Sequence, residues 1–595
     1  HHRHDPFDPT SLSYDGVNSV FEDCSGMIWL TTEGKGVDRF YPKGEKFERF
    51  LMQYGKSGGM CFDDITDGYE GQEGKLWLGS KTGLMQFDRV SQTFHCYTHQ
   101  YGQENSLAND YVYAVSGDSK GRIWIATADG LCAYDPRLNF WKAYQSVESN
   151  HSGLSNSVIY DVLVDAGDRV VAGTGGGVNC INPDGHIENK WTSKNIAKLK
   201  GEFYVTVFND SKNDFWFSTS RSGVIHTDHE FRELNYLKPD KIFAANKVNQ
   251  FAEDEHNNIW MASNHGLYIW KRSDLSLLPV MDSSTYLNDE ITCIIVLKNQ
   301  KAWAGTNKGL VQFAYDSDYH IHSIKHFDQR DGLQGNVFHP ASAVMLKNGD
   351  LIFGGSNGFN VIPKADYSVN IYMPKIQINE LFAAGKKIPL TEDVNRNQAI
   401  SLNYDQNDIV IELAALSYYH PEKNEFKYQL VGFDTELKSN GNNPILNYSK
   451  LPYGNFNLHV IAANNDGVYD GKGKWLKIHI KAPFWKTPLF FMLTAVILLL
   501  ILYFSYITRV KRIRREERLR SEMIQQVADA RMAALRAQMN PHFIFNSMNS
   551  IQHLIAGDEK EQALKYLSRF SRLVRLVLEG TRKDRISVAN EIKLI

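Results

Sequence analysis

Cysteine is scarce in this chain, with six residues among 595. No two of them form a CxxC pair, so the thiol spacing of a zinc or redox motif is absent. Their scatter predicts no disulfide, and we expect buried free thiols instead. The six are Cys24, Cys61, Cys96, Cys132, Cys180 and Cys293.

An export signal is also lacking at the start, which reads HHRHDPFDPTSL without a methionine or an apolar segment. Because a secretory signal needs that apolar segment, we expect the sequence to begin part-way through a longer protein. The first histidines have no metal-ligand spacing. They predict a solvated loop, and we expect no metal site in the chain.

Charge is absent from residues 487–508, a run of 22 mostly apolar residues. As a helix this run extends over ~33 Å at ~1.5 Å per residue, enough to cross a bilayer. A buried core helix is the alternative, but such helices rarely contain so long an apolar stretch. Seven basic residues follow between Arg509 and Arg520. By the positive-inside rule that flank is cytoplasmic, and the N-terminal half lies outside, in the periplasm.

The two sides of this run carry opposite net charge. From Arg509 onward, 18 lysines and arginines oppose 10 acidic residues, whereas the preceding 508 residues contain 47 and 58. Such a split predicts two halves in different surroundings. A chain of 595 residues is also too long for one core, so we expect three or more domains.

One signature recurs eight times in the exterior half, as in GDSKGRIWIATADGL (117–131) and EDEHNNIWMASNHGL (253–267). Each copy joins a polar turn, a short β-rich run and a second turn that ends in glycine. The aligned aromatic or apolar position recurs every 43 to 49 residues. It falls at Trp29, Trp77, Trp124, Val171, Trp216, Trp260, Trp303 and Ile352.

The glycine of each copy fits a tight turn that needs a positive φ. Two hairpins per period make a four-stranded blade, and blades close radially into a propeller. Seven blades plus one from a neighbouring propeller, or a single ring of eight, both fit. GTGGGVN (173–179) belongs to the fourth copy with no helix after it, so no phosphate-binding loop is predicted. The glycines are Gly36, Gly83, Gly130, Gly177, Gly223, Gly266, Gly309 and Gly358.

Residues 370–483 lose the repeat and alternate between apolar and polar positions, as in DIVIELAALSY (408–418) and NFNLHVIAAN (455–464). About seven such strands in one non-repeating segment predict an immunoglobulin- or fibronectin-like sandwich. The repeats resemble the two-component-regulator propeller, and the sandwich is similar to the Y_Y_Y domain that follows it. Tyr428, Tyr448 and Tyr453 match the tyrosines of that domain.

This resemblance extends over about residues 10–488 and implies an extracytoplasmic sensor. Family analogy favours an oligosaccharide as its ligand, without assigning the residues that bind it. Most tryptophans are repeat positions, and we expect them in the core.

The stretch LRAQMNPHFIFNSMNSIQHLI (535–555) predicts an amphipathic helix with an unusual polar stripe. At about 100° per residue the apolar side chains, such as Phe543, Met548 and Ile551, occupy the opposite arc. A turn at 556–562 leads into a second amphipathic run, so a helical hairpin is expected. Its apolar faces are too wide for one partner, which predicts a dimeric four-helix bundle. The stripe contains Gln538, His542, Asn546, Asn549 and His553.

A lone helical histidine is usually structural, but here Pro541 directly precedes His542. A proline inside a helix costs ~3 kcal/mol, from which a structural histidine gains nothing. A reactive imidazole gains, because the loosened turn lets it project and the amides can hold one tautomer. We therefore interpret His542 as a nucleophile that acts through a neutral ring nitrogen.

QMNPHFIFNSMNSI also resembles the phosphoacceptor box of the LytS-like sensor histidine kinases, over residues 530–595. The resemblance implies that His542 accepts the γ-phosphoryl group of ATP and passes it to an aspartate on a response-regulator receiver domain. Phe543 stands where the commoner kinase box has an acid that acts as base, so the base is not identified. Asn546 stands where that box has a residue that orients water for dephosphorylation, which implies a phosphatase or orienting role.

Phosphoryl transfer needs a nucleotide site with Mg²⁺ ligands and a phosphate-binding loop. The family places these parts downstream of a region like 531–595. We therefore expect ATP and Mg²⁺ to be bound by a C-terminal domain missing from this chain, which would be inactive alone.

The sequence thus predicts a mainly β protein that acts as a single-pass sensor histidine kinase of the bacterial inner membrane. We expect a homodimer with no direct nucleic-acid contact. The alternative is a membrane-anchored extracellular propeller lectin or lyase without kinase activity, which would not need the stripe around His542. The predicted domains are propeller repeats (1–365), the sandwich (370–483), a transmembrane helix (487–508), a juxtamembrane signalling helix (509–530) and the phosphoacceptor region (531–595).

Overall fold

The computed structural model describes most of the chain in two compact units. The first contains residues 1–400, 408–451 and 455–479, and the second contains 401–407, 452–454 and 480–595. The residues described are 2–6, 11–42, 46–52, 58–146, 153–192, 204–241, 243–245, 247–280, 287–364, 369–389, 399–538 and 540–580.

An aspartate organises the first turn of several repeats. Asp118 Oδ1 accepts the N–H groups of Lys120 and Arg122, and its Oδ2 accepts the indole N–H of Trp124 at 3.1 Å. The turn is therefore closed and the buried tryptophan keeps a partner for its polar atom. The same indole contact joins Asp23 to Trp29, Asp210 to Trp216 and Asp254 to Trp260, at 2.8, 3.0 and 3.2 Å.

The glycine of the second turn has a positive φ in all eight copies, between 88° and 155°. At Gly309 a Cβ atom would collide with the main-chain oxygen of Phe327, and at Gly358 with that of Phe50. Both the backbone angle and the close approach require glycine. The turn geometry expected from the repeat is confirmed.

Seven four-stranded antiparallel sheets follow the repeats, each with its first strand at one edge. Six are continuous in sequence: β5–β8 (Ile65–Glu70, Leu76–Ser80, Gly83–Asp88, Thr93–Tyr97), β9–β12 (Val112–Gly117, Ile123–Thr127, Gly130–Asp135, Phe140–Tyr144), β13–β16 (Ile159–Val164, Val170–Thr174, Gly177–Ile181, Ile187–Thr192), β17–β20 (Tyr204–Asn209, Phe215–Thr219, Val224–Thr227, Glu233–Leu237), β21–β24 (Val248–Glu253, Ile259–Ser263, Gly266–Lys271, Ser276–Val280) and β25–β28 (Ile291–Leu297, Lys301–Thr306, Leu310–Tyr315, Ile321–Phe327). The seventh joins β29–β31 (Phe338–Met345, Leu351–Gly355, Gly358–Ile362) to β4 (Glu48–Phe50).

These sheets are the blades of a closed ring. The inner strands β5, β9, β13, β17, β21, β25 and β29 contact one another in that order, and β29 contacts β5. The seventh blade takes its outer strand, β4, from the other end of the repeat region, so closure ties the two ends together. The first repeat forms a separate three-stranded sheet of β1–β3 (Val17–Glu22, Ile28–Thr32, Gly36–Phe40). The ring therefore has seven blades, not eight.

The core of the ring lies between adjacent blades. Trp260 and Ile269 of the fifth blade pack with Ile294 and Val311 of the sixth. As expected, repeat tryptophans are core residues: Trp77, Trp124, Trp216, Trp260 and Trp303 are all at most 2% exposed.

The expectation of no disulfide is wrong for one pair, because Cys61 and Cys96 are bonded with their Cα atoms 6.5 Å apart. Strand β8 carries Cys96 and is held beside the segment before β5, where the N–H of Phe94 donates to the carbonyl of Gly58. That proximity is tertiary, so a separation of 35 residues does not reveal it. Of the other cysteines, Cys24 is exposed, whereas Cys132, Cys180 and Cys293 are buried.

The next domain is a sandwich of two antiparallel sheets, in which the described residues form nine strands rather than about seven. The strands are β32 (Lys375–Ala383), β33 (Lys386–Lys387), β34 (Ala399–Leu402), β35 (Ile409–Leu416), β36 (Glu425–Val431), β37 (Lys438–Gly441), β38 (Ile445–Tyr448), β39 (Gly454–Ala463) and β40 (Lys474–Ile480). One sheet has the order β33-β32-β35-β38 and the other β34-β40-β39-β36-β37. Along β39 and β40 the side chains alternate between buried and exposed positions, as a half-buried strand requires.

Within the described residues, three helices follow the sandwich: α1 (Pro488–Gln538), α2 (Pro541–Ala556) and α3 (Lys560–Gly580). In the described part of the chain, α1 is the one helix long and apolar enough to cross a membrane. None of its apolar stretch is buried within the chain, as expected for side chains that face lipid.

Candidate functional site

The candidate phosphoacceptor lies at the start of α2, on a sharply defined helix terminus. Asn540 is the N-cap, and its side-chain oxygen accepts the N–H of His542. Pro541 occupies the first helical position, where its missing N–H would have had no partner in the helix. His542 is therefore the second residue of the helix and is exposed to solvent.

The expectation of a single helix over 535–555 with Pro541 in its interior is wrong. The residue before a proline disfavours the helical conformation, so α1 ends at Gln538 and a new helix begins at Pro541. At the first position Pro541 avoids the ~3 kcal/mol cost of an interior proline. Gln538 is the last residue of α1 and so belongs to a different helix from His542; its side chain lies outside the described residues.

Asn546 is the neighbour that contacts the imidazole. Its amide nitrogen lies 3.1 Å from Nδ1 and 3.2 Å from Nε2 of His542. An amide N–H can donate to a ring nitrogen that carries no hydrogen. One helical turn thus places a side chain that can orient the His542 ring.

The rest of the polar stripe is exposed but more distant. Asn549 and His553 follow His542 by seven and eleven residues on α2, and both face solvent. Among the described residues, Asn546 alone is within hydrogen-bond distance of the His542 ring, and no carboxylate there forms an ion pair with it. The residue that would act as base in proton transfer is therefore not found in this part of the chain.

Helices α2 and α3 pack as a hairpin with a narrow buried seam. Ile551 and Ala563 are 6% and 5% exposed, whereas Phe543, Met548 and Leu564 are 49%, 49% and 63% exposed. A single chain therefore leaves a broad apolar face uncovered, as the wide apolar arc in the sequence predicts.

The three matched tyrosines have structural positions in the sandwich. Tyr448 is buried and donates its hydroxyl to Asp434 at 2.8 Å. Burial and the Asp434 carboxylate raise the pKa of Tyr448. The ring of Tyr428 meets that of Tyr448 edge-on at 6.1 Å, whereas Tyr453 is exposed. These contacts tie together strands of the sandwich.

Two features escaped prediction from the sequence. Asn540, the amide outside the stripe, is the cap of α2, and Asn-Pro at a helix start was the available signal. The second is a cavity inside the propeller, lined in part by Tyr113, Tyr160 and Asn249. These three residues occupy the second position of their inner strands, a recurrence visible only after the repeats are aligned in register.

The chain thus combines two β domains, a membrane-length helix and a helical hairpin on which an amide contacts an exposed histidine. Three family models match the chain in the same order. Residues 106–129 match the two component regulator propeller, 417–481 the Y_Y_Y domain, and 530–595 the histidine kinase family. The resemblance inferred from the sequence is confirmed.

Curated relatives agree with these matches. The chain is 22% identical over 295 residues to Histidine kinase P4 of Formosa agariphila, which covers 47% of this chain and 21% of that protein. It is 40% identical over 67 residues to Sensor protein LytS of Staphylococcus haemolyticus, 11% of each chain. The chain thus spans about a fifth or less of the length of these relatives.

The fold has a counterpart among solved structures. This chain superposes on a solved structure from B. thetaiotaomicron, described as the extracellular domain of a hybrid two component system, with a TM-score of 0.67 at 20% identity. The match covers 81% of this chain and 64% of that chain. It supports the mainly β fold, followed here by one apolar helix and a helical region.

Proposed function

We propose that this chain is the sensing and phosphoacceptor part of a single-pass sensor histidine kinase. His542 accepts the γ-phosphoryl group of ATP and passes it to an aspartate of a response-regulator receiver domain. The observation that carries the proposal is the exposed ring of His542, contacted by Asn546, within the histidine kinase match.

The chemistry assigned to these residues is limited. His542 supplies a ring nitrogen that forms a bond to the γ-phosphorus of ATP while the bond from that phosphorus to the leaving ADP breaks, and Asn546 orients the ring. ATP and Mg²⁺ are held by a separate ATP-binding domain, which supplies the charge stabilisation. We assign a second role to Asn546: it orients the water molecule that removes the phosphoryl group from His542.

Signal passes from outside to inside along α1. Its apolar part crosses the bacterial cytoplasmic membrane, and the basic residues from Arg509 onward lie on the cytoplasmic side. A ligand that shifts the propeller and sandwich would rotate or translate α1 and so reorient α2 in a homodimer. The alternative function, a membrane-anchored lectin or lyase, would not need an exposed histidine that follows a helix cap and is contacted by an amide.

Phosphotransfer tests the proposal. The chain is labelled with [γ-³²P]ATP, Mg²⁺ and the ATP-binding domain of a LytS-like kinase, freed of nucleotide, and mixed with a panel of receiver domains. We expect label that survives alkali but not acid, and its transfer to at least one receiver domain. Label that survives acid and never moves to a receiver would contradict the proposal.

A further inference from the structure

A cavity of about 350 Å³ lies at the centre of the seven-bladed ring. Six of the seven blades contribute to its wall, all but the sixth. Its volume is near the lower end of ligand pockets, which range from about 300 to 1,000 Å³. It therefore has room for a compact small molecule.

The wall is built by a repeated irregularity of the inner strands. Near its first residue, each of these strands shifts register against the next strand of its blade. A bulge leaves one residue unpaired and re-aims its side chain, and bulges concentrate at functional sites. The bulged residues Thr66, Tyr113, Tyr160 and Asn249 all line the cavity.

Tyrosine rings form one side of the cavity. The ring centroids of Tyr111 and Tyr113 are 4.5 Å apart, and Tyr160 meets Tyr113 edge-on at 5.2 Å. All three residues line the cavity. Such rings present flat apolar faces against which the body of a ring-shaped ligand can pack.

Asn249 contributes an acceptor that lacks a protein donor. The residue is 1% exposed, and its amide nitrogen donates to the carbonyl of Ile291 at 2.9 Å. That bond fixes the orientation of the amide. The side-chain oxygen is buried and has no hydrogen-bond partner in the described part of the chain. A buried acceptor of this kind calls for a donor such as a ligand hydroxyl.

Lys247 contributes a cation without an ion pair. Burial lowers the pKa of Lys247, and the carboxylate of Glu290 acts in the opposite direction. No acidic group of the described residues lies within ion-pair distance of its Nζ. The other basic groups are already engaged, because Lys81 and His339 both contact Asp64, at 3.1 and 2.6 Å.

The one carboxylate that lines the cavity does not neutralise Lys247. The two oxygens of Asp161 accept the N–H groups of Val162 and Val207, at 2.8 and 2.6 Å. Burial raises the pKa of Asp161 to about 7, so part of it is uncharged near neutral pH. Among the described residues, Lys247 is therefore the one basic group of the cavity wall without a carboxylate partner, and an anionic ligand would supply that partner.

We propose that this cavity binds a sugar acid, a hydroxylated ring that carries one carboxylate. The carboxylate pairs with Lys247, a ring hydroxyl donates to the free oxygen of Asn249, and the ring packs against Tyr113 and Tyr160. This assignment names a ligand class for the proposed sensor. A signalling role for the bound sugar acid rests on the proposed sensor function, whereas the binding itself is tested separately.

Calorimetry on the purified full chain tests the assignment, with glucuronate, galacturonate and mannuronate as probes. Galactose lacks the carboxylate, and cyclohexanecarboxylate lacks the hydroxyls. We expect at least one sugar acid to bind at least tenfold tighter than either of these. Lys247→Met should weaken that binding at least tenfold and leave galactose binding unchanged. Lys212→Met, on an exposed turn outside the cavity, should bind like the parent.

Three results would overturn the assignment: no binding of any sugar acid, galactose binding as tightly, or Lys247→Met binding like the parent. Cyclohexanecarboxylate binding as tightly as the sugar acids would show that the hydroxyl contact with Asn249 contributes nothing, and would also count against the assignment. Thermal melting of each variant shows that it is folded. The calorimetric titration contains no ATP, so it tests ligand binding independently of phosphorylation. If His542 is not labelled, the ligand assignment can still hold, and if no sugar acid binds, the phosphoacceptor assignment can still hold.

Discussion

Lys46 and Asp466 form a buried ion pair, with Nζ 2.5 Å from Oδ1 and the two side chains 3% and 1% exposed. Lys46 lies just before β4, the strand that closes the propeller, and Asp466 lies in the turn between β39 and β40 of the sandwich. Asp466 also accepts the N–H of Asn370 at 2.7 Å. The pair therefore joins the closing strand of the ring to the domain that precedes the membrane helix.

Removing the cation of this pair should destabilise the first compact unit. Lys46→Met leaves Asp466 buried without its ammonium, whereas the nearby Asp331 keeps its ion pair with Lys423. Loss of one partner of a buried pair costs about 3–5 kcal/mol of unfolding free energy. Urea denaturation of the full chain measures this loss of unfolding free energy. Lys308→Met, which removes the exposed partner of the exposed Asp289, is the control and should change little. Equal effects of the two substitutions would contradict the structural role of Lys46.

The stability of this junction should fall in acid because of His420. Burial lowers the pKa of His420, while the Asp331 carboxylate acts the other way and the charges of Lys423, Glu422 and Lys46 act as smaller influences. The folded state therefore keeps the ring neutral, whereas the unfolded chain binds a proton below the ordinary value of about 6.5. The stability that the neutral His420 ring contributes to the folded state is complete above that pH and is lost as pH falls below it.

The measurement is the unfolding free energy of the parent and His420→Gln between pH 5 and pH 8. The parent should lose more stability than the variant on going from pH 7 to pH 5. If both lose the same amount, the titrating group is not His420.

Membrane topology can be read with cysteine labelling in intact cells. In a Cys24→Ser background, Tyr101→Cys places a thiol on an exposed propeller loop, and Ser521→Cys places one after the basic flank. A membrane-impermeant maleimide should label the first variant directly and the second only after permeabilisation. The reverse pattern would place the phosphoacceptor helix outside, away from ATP, and remove the sensor kinase assignment.

The uncovered apolar face of the hairpin predicts a dimer. A soluble fragment of residues 509–595 should sediment as a dimer at tens of micromolar, because two hairpins can bury the faces that one leaves exposed. Leu567→Glu, at a 43% exposed apolar position on α3, should shift it to monomer. Lys565→Glu, at a neighbouring exposed position, should not. A parent fragment that is monomeric throughout this range would contradict the four-helix bundle.

Periodic features of this protein could be predicted from the sequence, and features that depend on tertiary proximity could not. The eight turn glycines and the buried repeat tryptophans were predicted because local conformation dictates both. The disulfide between Cys61 and Cys96 was missed because a tertiary approach creates it. Blade number was left open because closure depends on β4 pairing with β31, more than 300 residues away.

At the candidate site the residues were predicted, but their setting was not. The spacing of His542 and Asn546 placed them one helical turn apart, and the structure brings them into contact. Treating the proline as interior was the error, because helical periodicity continues smoothly through 538–542 in the sequence. The cap formed by Asn540 interrupts it.

The measurement that tests the central claim most directly is labelling of the His542→Gln and His553→Gln variants beside the parent. Each full chain receives [γ-³²P]ATP, Mg²⁺ and the ATP-binding domain in trans. Both histidines are exposed on α2, but Asn546 orients only His542. We expect His542→Gln to lose the acid-labile label entirely and His553→Gln to keep most of it, with both variants still dimeric. Label on His542→Gln equal to the parent would contradict the assignment of the phosphoacceptor.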